Sequence, residues 1–168
     1  LDWWRDNRDL KDVPPENVAL ARAAYYGLVR RLDLHIGRLL QRLEASGLSE
    51  DTLVVYSSDH GDHLGERGLW WKHTFFEESV TVPLILRWPG TLPAGQRRAQ
   101  LVDLLDVAGS FVDAGGAPPL PGADGRSLMA VARDSAAPWD DEVFSEYCVD
   151  AGEPYSGGRA TQQRMVRR

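Results

Sequence analysis

The sequence holds a single cysteine, Cys148, among 168 residues. One thiol excludes an internal disulfide and any multi-cysteine zinc cluster. No apolar stretch approaches the ~20 residues that a membrane-spanning helix needs. Basic charge is also short: the net charge of -6 leaves no overall basic footprint for a nucleic-acid partner. Internal repeats and low-complexity tracts are absent. The opening residues, LDWWRDNRDL, are charged and aromatic and do not read as a signal peptide. The chain starts at Leu1 rather than Met, so it is expected to be a piece of something longer. The compartment stays open between cytoplasm and a periplasmic or secreted location.

What is present is an ordinary globular composition, with 43% hydrophobic residues. A chain of this length buries roughly 70% of its unfolded surface, enough for one domain with a core. The clearest helix signal lies in VPPENVALARAAYYGLVRRLDLHIGRLLQRLEASG. There Tyr25, Val29, Leu32, Ile36, Leu39 and Leu43 recur at steps of three or four and form one apolar stripe. Pro14 and Pro15 suit its start, and Gly47 suits a left-handed stop. DTLVVYSS follows, short and β-branched, and reads as a strand buried on both faces. TVPLILRWPG predicts a second strand closed by Pro89 and Gly90. LVDLLDVAGSFVDAGG predicts a helix ending at Gly115 and Gly116, GRSLMAVARD a short helix, DEVFSEYCV a third strand and QQRMVRR the start of a fourth. CVDAGEPYSGGRA reads as a loop. Helices alternating with short buried strands imply an α/β class with a mainly parallel sheet sandwiched by helices.

Between the first two strands runs DHGDHLGERGLWWKH, residues 59–73. It begins at the C-terminal end of a strand, where α/β sheets bind their ligands. Asp59 offers hard oxygen ligands and His60 one imidazole nitrogen. Both can turn to one cation if the backbone bends, and Gly61 permits a bend. Lys72 adds a mobile positive charge suited to an anionic substrate or leaving group. Each residue has a plainer reading. An Asp after a strand is often a turn or helix cap. His63 suits a surface or supporting role better than metal ligation, and a lone Lys72 would be a solvated charge. Trp70 and Trp71 read as packing residues, His35 as a boundary histidine, and Cys148 as a buried structural thiol. Glu77 and Glu78 fit the first turn of a short helix.

The stretch TLVVYSSDHGDHLGERGLWWKHTFFEESVTVPLILRWPG resembles the C-terminal part of the catalytic domain of the sulfatase family, within the alkaline phosphatase superfamily. The elements stand in order, from Ser58-Asp59-His60-Gly61-Asp62 through Gly68-Leu69-Trp70, Lys72 and Glu78-Ser79 to Val82-Pro83-Leu84-Ile85 and Pro89-Gly90. The upstream helix, LVDLLDVAG and GADGRSL extend the likeness over residues 10 to 135. Within the family the likeness is to choline-sulfatase/arylsulfatase-like members, and His60 in place of the Asn of many members resembles a variant common among choline-sulfatase-like and phosphonate-monoester-hydrolase-like ones.

The resemblance implies an alkaline phosphatase-like α/β fold, incomplete in this chain. Residues 1–135 would be the C-terminal part of the catalytic domain, and 136–168 the truncated start of a C-terminal subdomain. It implies that Asp59 and His60 ligate a divalent cation. Calcium is the first expectation, with manganese or magnesium as alternatives, since imidazole suits calcium less well than oxygen does. It places Lys72 on the sulfate as the catalytic and substrate-binding lysine, with His73 beside it as a further substrate contact. Asp62 would support the loop rather than the metal.

The family's formylglycine, made from Cys or Ser in a Cys-x-Pro-x-Arg motif, has no counterpart here, and Cys148 lies in Tyr-Cys-Val-Asp. It is expected in a missing N-terminal half, which would be this chain's partner within one domain, together with paired aspartates that complete the metal site. The implied activity is hydrolysis of a small-molecule or sugar sulfate ester by the complete enzyme. The chain alone is expected to be inactive and poorly soluble, and an oligomer is left open. Two alternatives stay open: a phosphonate monoester or phosphodiester hydrolase of the same superfamily, and a non-catalytic cation-binding remnant.

Overall fold

A computed structural model describes residues 10, 12–150, 152 and 158–168. The expected N-terminal aromatic run, apart from Leu10, and most of the loop after Asp150 lie outside the described residues.

The first element is α1, Pro15–Ala45, a rod about 46 Å long at 1.5 Å per residue. Pro14 stands at its N-cap and Pro15 in its first turn, where a missing N–H costs nothing. At the other end the Gly47 N–H reaches the Glu44 carbonyl, with Gly47 at φ 73°. None of its residues is buried. Val29, Leu32 and Leu39 of the stripe are 46%, 47% and 60% exposed, so the stripe exists but is largely open. Arg22 ties the helix to the polar run. Its Nε donates to the Leu64 carbonyl at 2.8 Å, and its Nη2 meets Glu66 Oε1 at 2.9 Å.

Strand β1 is Val54–Ser57. The two-residue strands β2, His63–Leu64, and β3, Trp70–Trp71, form a small hairpin around a 3-10 turn at Glu66–Gly68. A four-residue helix α2, Glu77–Val80, precedes β4, Leu84–Arg87. The expected α/β character is present, but β1 and β4 pair antiparallel, Val54 opposite Arg87 and Ser57 opposite Leu84. Every strand pair among the described residues is antiparallel, so the parallel pairing expected from the sequence is not found among them. The physical reason lies in residues 58–83. They contain no crossover helix long enough to carry the chain back along β1, so β4 returns in the opposite direction. Nor is β1 buried on both faces: all four of its residues are half-buried.

Helix α3, Leu104–Ala114, packs on α4, Met129–Arg133. Asp103 caps α3 by accepting from the N–H groups of Leu105 and Asp106, while Asp106 returns a carboxylate oxygen to the Asp103 N–H. Asp106 also accepts from the Arg126 N–H at 2.8 Å, although it is only 2% exposed. Ser110, fully buried, links the Asp106 carbonyl to the Leu128 N–H. Leu128, Met129 and Val131 form the apolar part of this core, and Arg98 closes the end of α4 on the Val131 and Ala132 carbonyls.

The last elements are β5, Val143–Val149, and β6, Thr161–Arg167, an antiparallel hairpin with Val143 opposite Arg167. Cys148 is exposed, not buried as expected. It sits on the open face of a two-stranded ribbon, which has only one covered side.

Candidate active site

The site grows from the end of β1. Ser58 turns the chain by donating its hydroxyl to the His60 carbonyl at 2.9 Å, and the His60 N–H donates to Asp59 Oδ1 at 3.1 Å. These bonds set Asp59 and His60 side by side, with His60 Nε2 3.5 Å from Asp59 Oδ2. The His60 Nδ1 lies 2.8 Å from the Gly61 carbonyl. A carbonyl only accepts, so the proton belongs on Nδ1 and a neutral His60 carries its lone pair on Nε2. That is the nitrogen beside the carboxylate.

Asp59 is open, its side chain 82% exposed. Burial would raise its carboxyl, but the neighbouring His60, the N–H groups of residues 59 and 60, and the charge of Lys72 together hold it below its ordinary value. It is therefore ionised at neutral pH and available to a cation. The donor pair fits part of a divalent-ion site, because neighbouring ligands around one ion lie roughly 3–3.5 Å apart. Among the described residues no cluster of three or more His, Cys, Asp or Glu side chains forms. The remaining ligands of such an ion must come from elsewhere.

Gly61 does something other than bend. Its N–H donates to the Ser79 carbonyl at 2.8 Å, and a Cβ here would lie 2.1 Å from the Glu78 carbonyl oxygen. The glycine lets α2 press directly on the polar run. Gly65, at φ 96°, makes the next sharp turn.

Lys72 is exposed and follows β3 on a turn of unusual backbone. Trp71 has φ 65° and His73 φ 85°, both in the left-handed region that side chains avoid. Strain on both sides of one lysine needs support, and three contacts supply it. His73 Nδ1 lies 3.1 Å from the Tyr147 hydroxyl of β5. Buried His63 Nε2 lies 2.8 Å from Thr74 Oγ1, which also accepts from the Phe76 N–H. Arg167 of β6 grips both Glu77 oxygens, at 2.8 and 2.9 Å.

The Thr81 hydroxyl and Arg167 hold the Glu77 carboxyl low. Arg67, 2.8 Å from Glu78 Oε1, and the Glu78 N–H hold Glu78 low as well. Arg67 also stacks over Phe76 at 4.3 Å.

The structure thus brings Asp59, His60 and Lys72 into one neighbourhood, with His73 turned to Tyr147. His63 is buried, which rules out the surface reading and leaves the supporting one. Of the tryptophans, Trp71 is 48% exposed and Trp70 half-buried. His35 is exposed on α1. The sequence reading missed Tyr147 and Arg167, which reach the site from a hairpin more than 70 residues away. Only the Ser145-Glu146-Tyr147 run on a predicted strand could have pointed there, and it carries no spacing signal.

A family model described as Sulfatase matches residues 4–117. This chain belongs to the sulfatase family. It is 37% identical over 132 residues to a choline-sulfatase of Rhizobium meliloti, covering 79% of this chain and 23% of that protein. It is 34% identical over 126 residues to an N-acetylglucosamine-6-O-sulfatase of Bacteroides thetaiotaomicron, covering 73% and 23%. Among solved structures, a phosphonate monoester hydrolase from Silicibacter pomeroyi superposes with a TM-score of 0.77 at 34% identity, covering 86% of this chain and 29% of that one. The chain therefore spans about a quarter of the length of the curated relatives it matches. The fold is that of the alkaline phosphatase-like hydrolases.

Proposed function

We propose that this chain carries the electrostatic part of a sulfuric ester hydrolase site. Residues 1–135 would serve as the C-terminal part of the catalytic α/β domain, and 136–168 as the start of a further subdomain. The observation that carries the reading is the His60 ring. Its Nδ1 is held by the Gly61 carbonyl, so its other nitrogen faces the ionised Asp59 across 3.5 Å.

A sulfate ester is an anion and resists attack by a nucleophile. Charge on its oxygens must be drawn off as the S–O bond breaks. Lys72 does this with an ammonium delivered from the strained turn. His73, held by Tyr147, lines the same edge as a substrate contact. Asp59 and His60 would hold a divalent cation, calcium first and manganese or magnesium next, which when bound supplies Lewis-acid charge. The formylglycine nucleophile of the family has no motif among these residues, so the chain by itself is expected to show no turnover. The substrate class is a small-molecule or sugar sulfate ester, in keeping with the relatives' names.

The test has two parts. The coding DNA immediately upstream of Leu1 should contain an in-frame Cys-x-Pro-x-Arg or Ser-x-Pro-x-Arg, preceded by paired aspartates. The polypeptide encoded by that longer frame should hydrolyse 4-nitrophenyl sulfate and lose activity on Asp59→Ala or Lys72→Ala. Robust esterase activity from the 168-residue chain alone, abolished by Asp59→Ala, would overturn the reading.

A phosphonate monoester hydrolase is the second reading, favoured by the superposition on one such enzyme. Phosphate and sulfate make similar demands on a cation and a lysine, so the ratio of activities on the two ester types decides. Cation binding with neither activity, and no upstream motif, would leave a non-catalytic remnant.

A further inference from the structure

His63 is 1% exposed, yet only one of its two ring nitrogens has a partner. A buried imidazole nitrogen without a hydrogen bond is costly and uncommon. One other orphan lies on the same side of the Lys72 turn: Glu78 Oε2 is buried without a partner, while its sister oxygen takes the Arg67 guanidinium at 2.8 Å. The two residues are close enough to interact electrostatically. The two atoms make no direct hydrogen bond, so one buried water that accepts from the first and donates to the second would satisfy both.

We propose that His63 carries its proton on Nδ1 and donates it to a buried water, which in turn donates to Glu78 Oε2. The two would then staple together the strands and helix that flank Lys72.

The rest of the hydrogen-bond chain agrees in sense. If Nδ1 bears the proton, Nε2 accepts, so the Thr74 hydroxyl donates to it. Thr74 Oγ1 is then free to accept from the Phe76 N–H, as its 3.2 Å contact requires. With the water in place, each link of the run Arg67–Glu78–water–His63–Thr74–Phe76 sets a donor against an acceptor.

The placement gives the staple its purpose. His63 stands on β2, paired across from Trp71, the residue before Lys72. Glu78 stands on α2, five residues past His73. Joining them closes a loop in which the positive-φ residues Trp71 and His73 bracket the lysine. His63 is thus a positioning residue that acts through the turn. This role rests on the reading of Lys72 as the anion-contacting group; the location of the His63 proton does not.

The test uses the whole chain with 15N-labelled histidine. At neutral pH the His63 ring should show a protonated Nδ1 and an unprotonated Nε2. Glu78→Ala should shift the Nδ1 signal and speed amide exchange over residues 71–75 by about tenfold, the worth of one lost charge-assisted bond. Exchange in α3 should stay unchanged. Conservative His63→Asn, which keeps a donor near Nδ1, should retain protection of residues 71–75, and His63→Leu should lose it.

A protonated Nε2 in the unsubstituted chain, or an Nδ1 signal untouched by Glu78→Ala, overturns the proposal. So does equal loss of protection in the Asn and Leu variants. A staple confirmed by these signals together with full activity of Lys72→Ala in the longer polypeptide would sink only the reading of the lysine.

Discussion

Around Asp106 a carboxylate is buried to 2% exposure, and its oxygens take the N–H groups of Asp103 and Arg126. Around Asp59 a carboxylate is 82% exposed, and the imidazole of His60 and two backbone N–H groups act on it, with a smaller contribution from the Lys72 ammonium. Asp106 lies in the first turn of α3, and Asp59 lies just past the end of β1. The first uses its lone pairs to close a helix cap, which leaves nothing for a ligand. The second keeps lone pairs open, on a backbone that tolerates positive φ at Trp71 and His73. One region is spent on stability and the other holds strain and spare donors, as binding sites do.

The largest expected effects come from two glycines that look equivalent. A Cβ on Gly125 would stand 2.1 Å from the Leu105 carbonyl, and a Cβ on Gly61 2.1 Å from the Glu78 carbonyl. Neither clash is relieved by a flexible side chain. Gly125→Ala should lower global stability by about 3 kcal/mol in urea denaturation, at the upper end of overpacking costs. Gly61→Ala should push α2 off the polar run and weaken cation binding at least about tenfold by calorimetry, since mispositioned supports cost that much at metal sites. If Gly61→Ala destabilised the chain but left cation affinity intact, Gly61 would be scaffold and the contrast between the regions would fail.

Next come the two carboxylates themselves. Asp106→Ala strands two backbone donors and should cost about 2–3 kcal/mol. Asp59→Ala should leave the denaturation midpoint of the cation-free chain unmoved and abolish its response to added calcium or manganese. Equal destabilisation by both would mean Asp59 is a structural cap after all.

Tyr147→Phe removes a hydroxyl but keeps the ring that meets His73 edge-on at 6.0 Å. Loss of one hydrogen bond predicts about 1 kcal/mol. It should appear as faster amide exchange at residues 72–74 with exchange in α3 unchanged. A uniform increase across both regions would place Tyr147 in the general fold rather than in support of the turn.

Much of this division was legible in the sequence. Helix α1 and its stop at Gly47 follow from spacing and turn chemistry. So does α3, whose apolar run ends at Gly115. The placement of Asp59 and His60 side by side just past a strand is readable, because the β-branched run before them ends at Ser57. What could not be read is what depends on tertiary approach. Gly61 looks like a hinge in sequence and proves to be a clearance. The strand direction depends on how residues 58–83 turn back, which no local pattern records. Cys148 alternates with inward residues on a strand, but the face it takes is set by the ribbon's single covered side. Tyr147 and Arg167 reach the site through hairpin register, which fixes which side chains face it.

The smallest expected effect is an acid dependence confined to the site. Glu77 and Glu78 both have folded-state pKa values below the unfolded glutamate value of about 4.3. The unfolded chain therefore binds more protons than the folded one in that range, and stability rises with pH there. The contribution is fully present above the unfolded value and is lost as pH falls through the folded ones. Protonating Glu77 releases Arg167, and protonating Glu78 releases Arg67, so the turn should loosen before the α3–α4 core does. Amide exchange at residues 71–80, corrected for intrinsic rates, should rise below about pH 4. Glu77→Gln should flatten part of that rise, because it removes a titrating group. An unchanged acid profile in that variant would show that the Arg167–Glu77 pair, exposed on both sides, is screened too well to hold the turn.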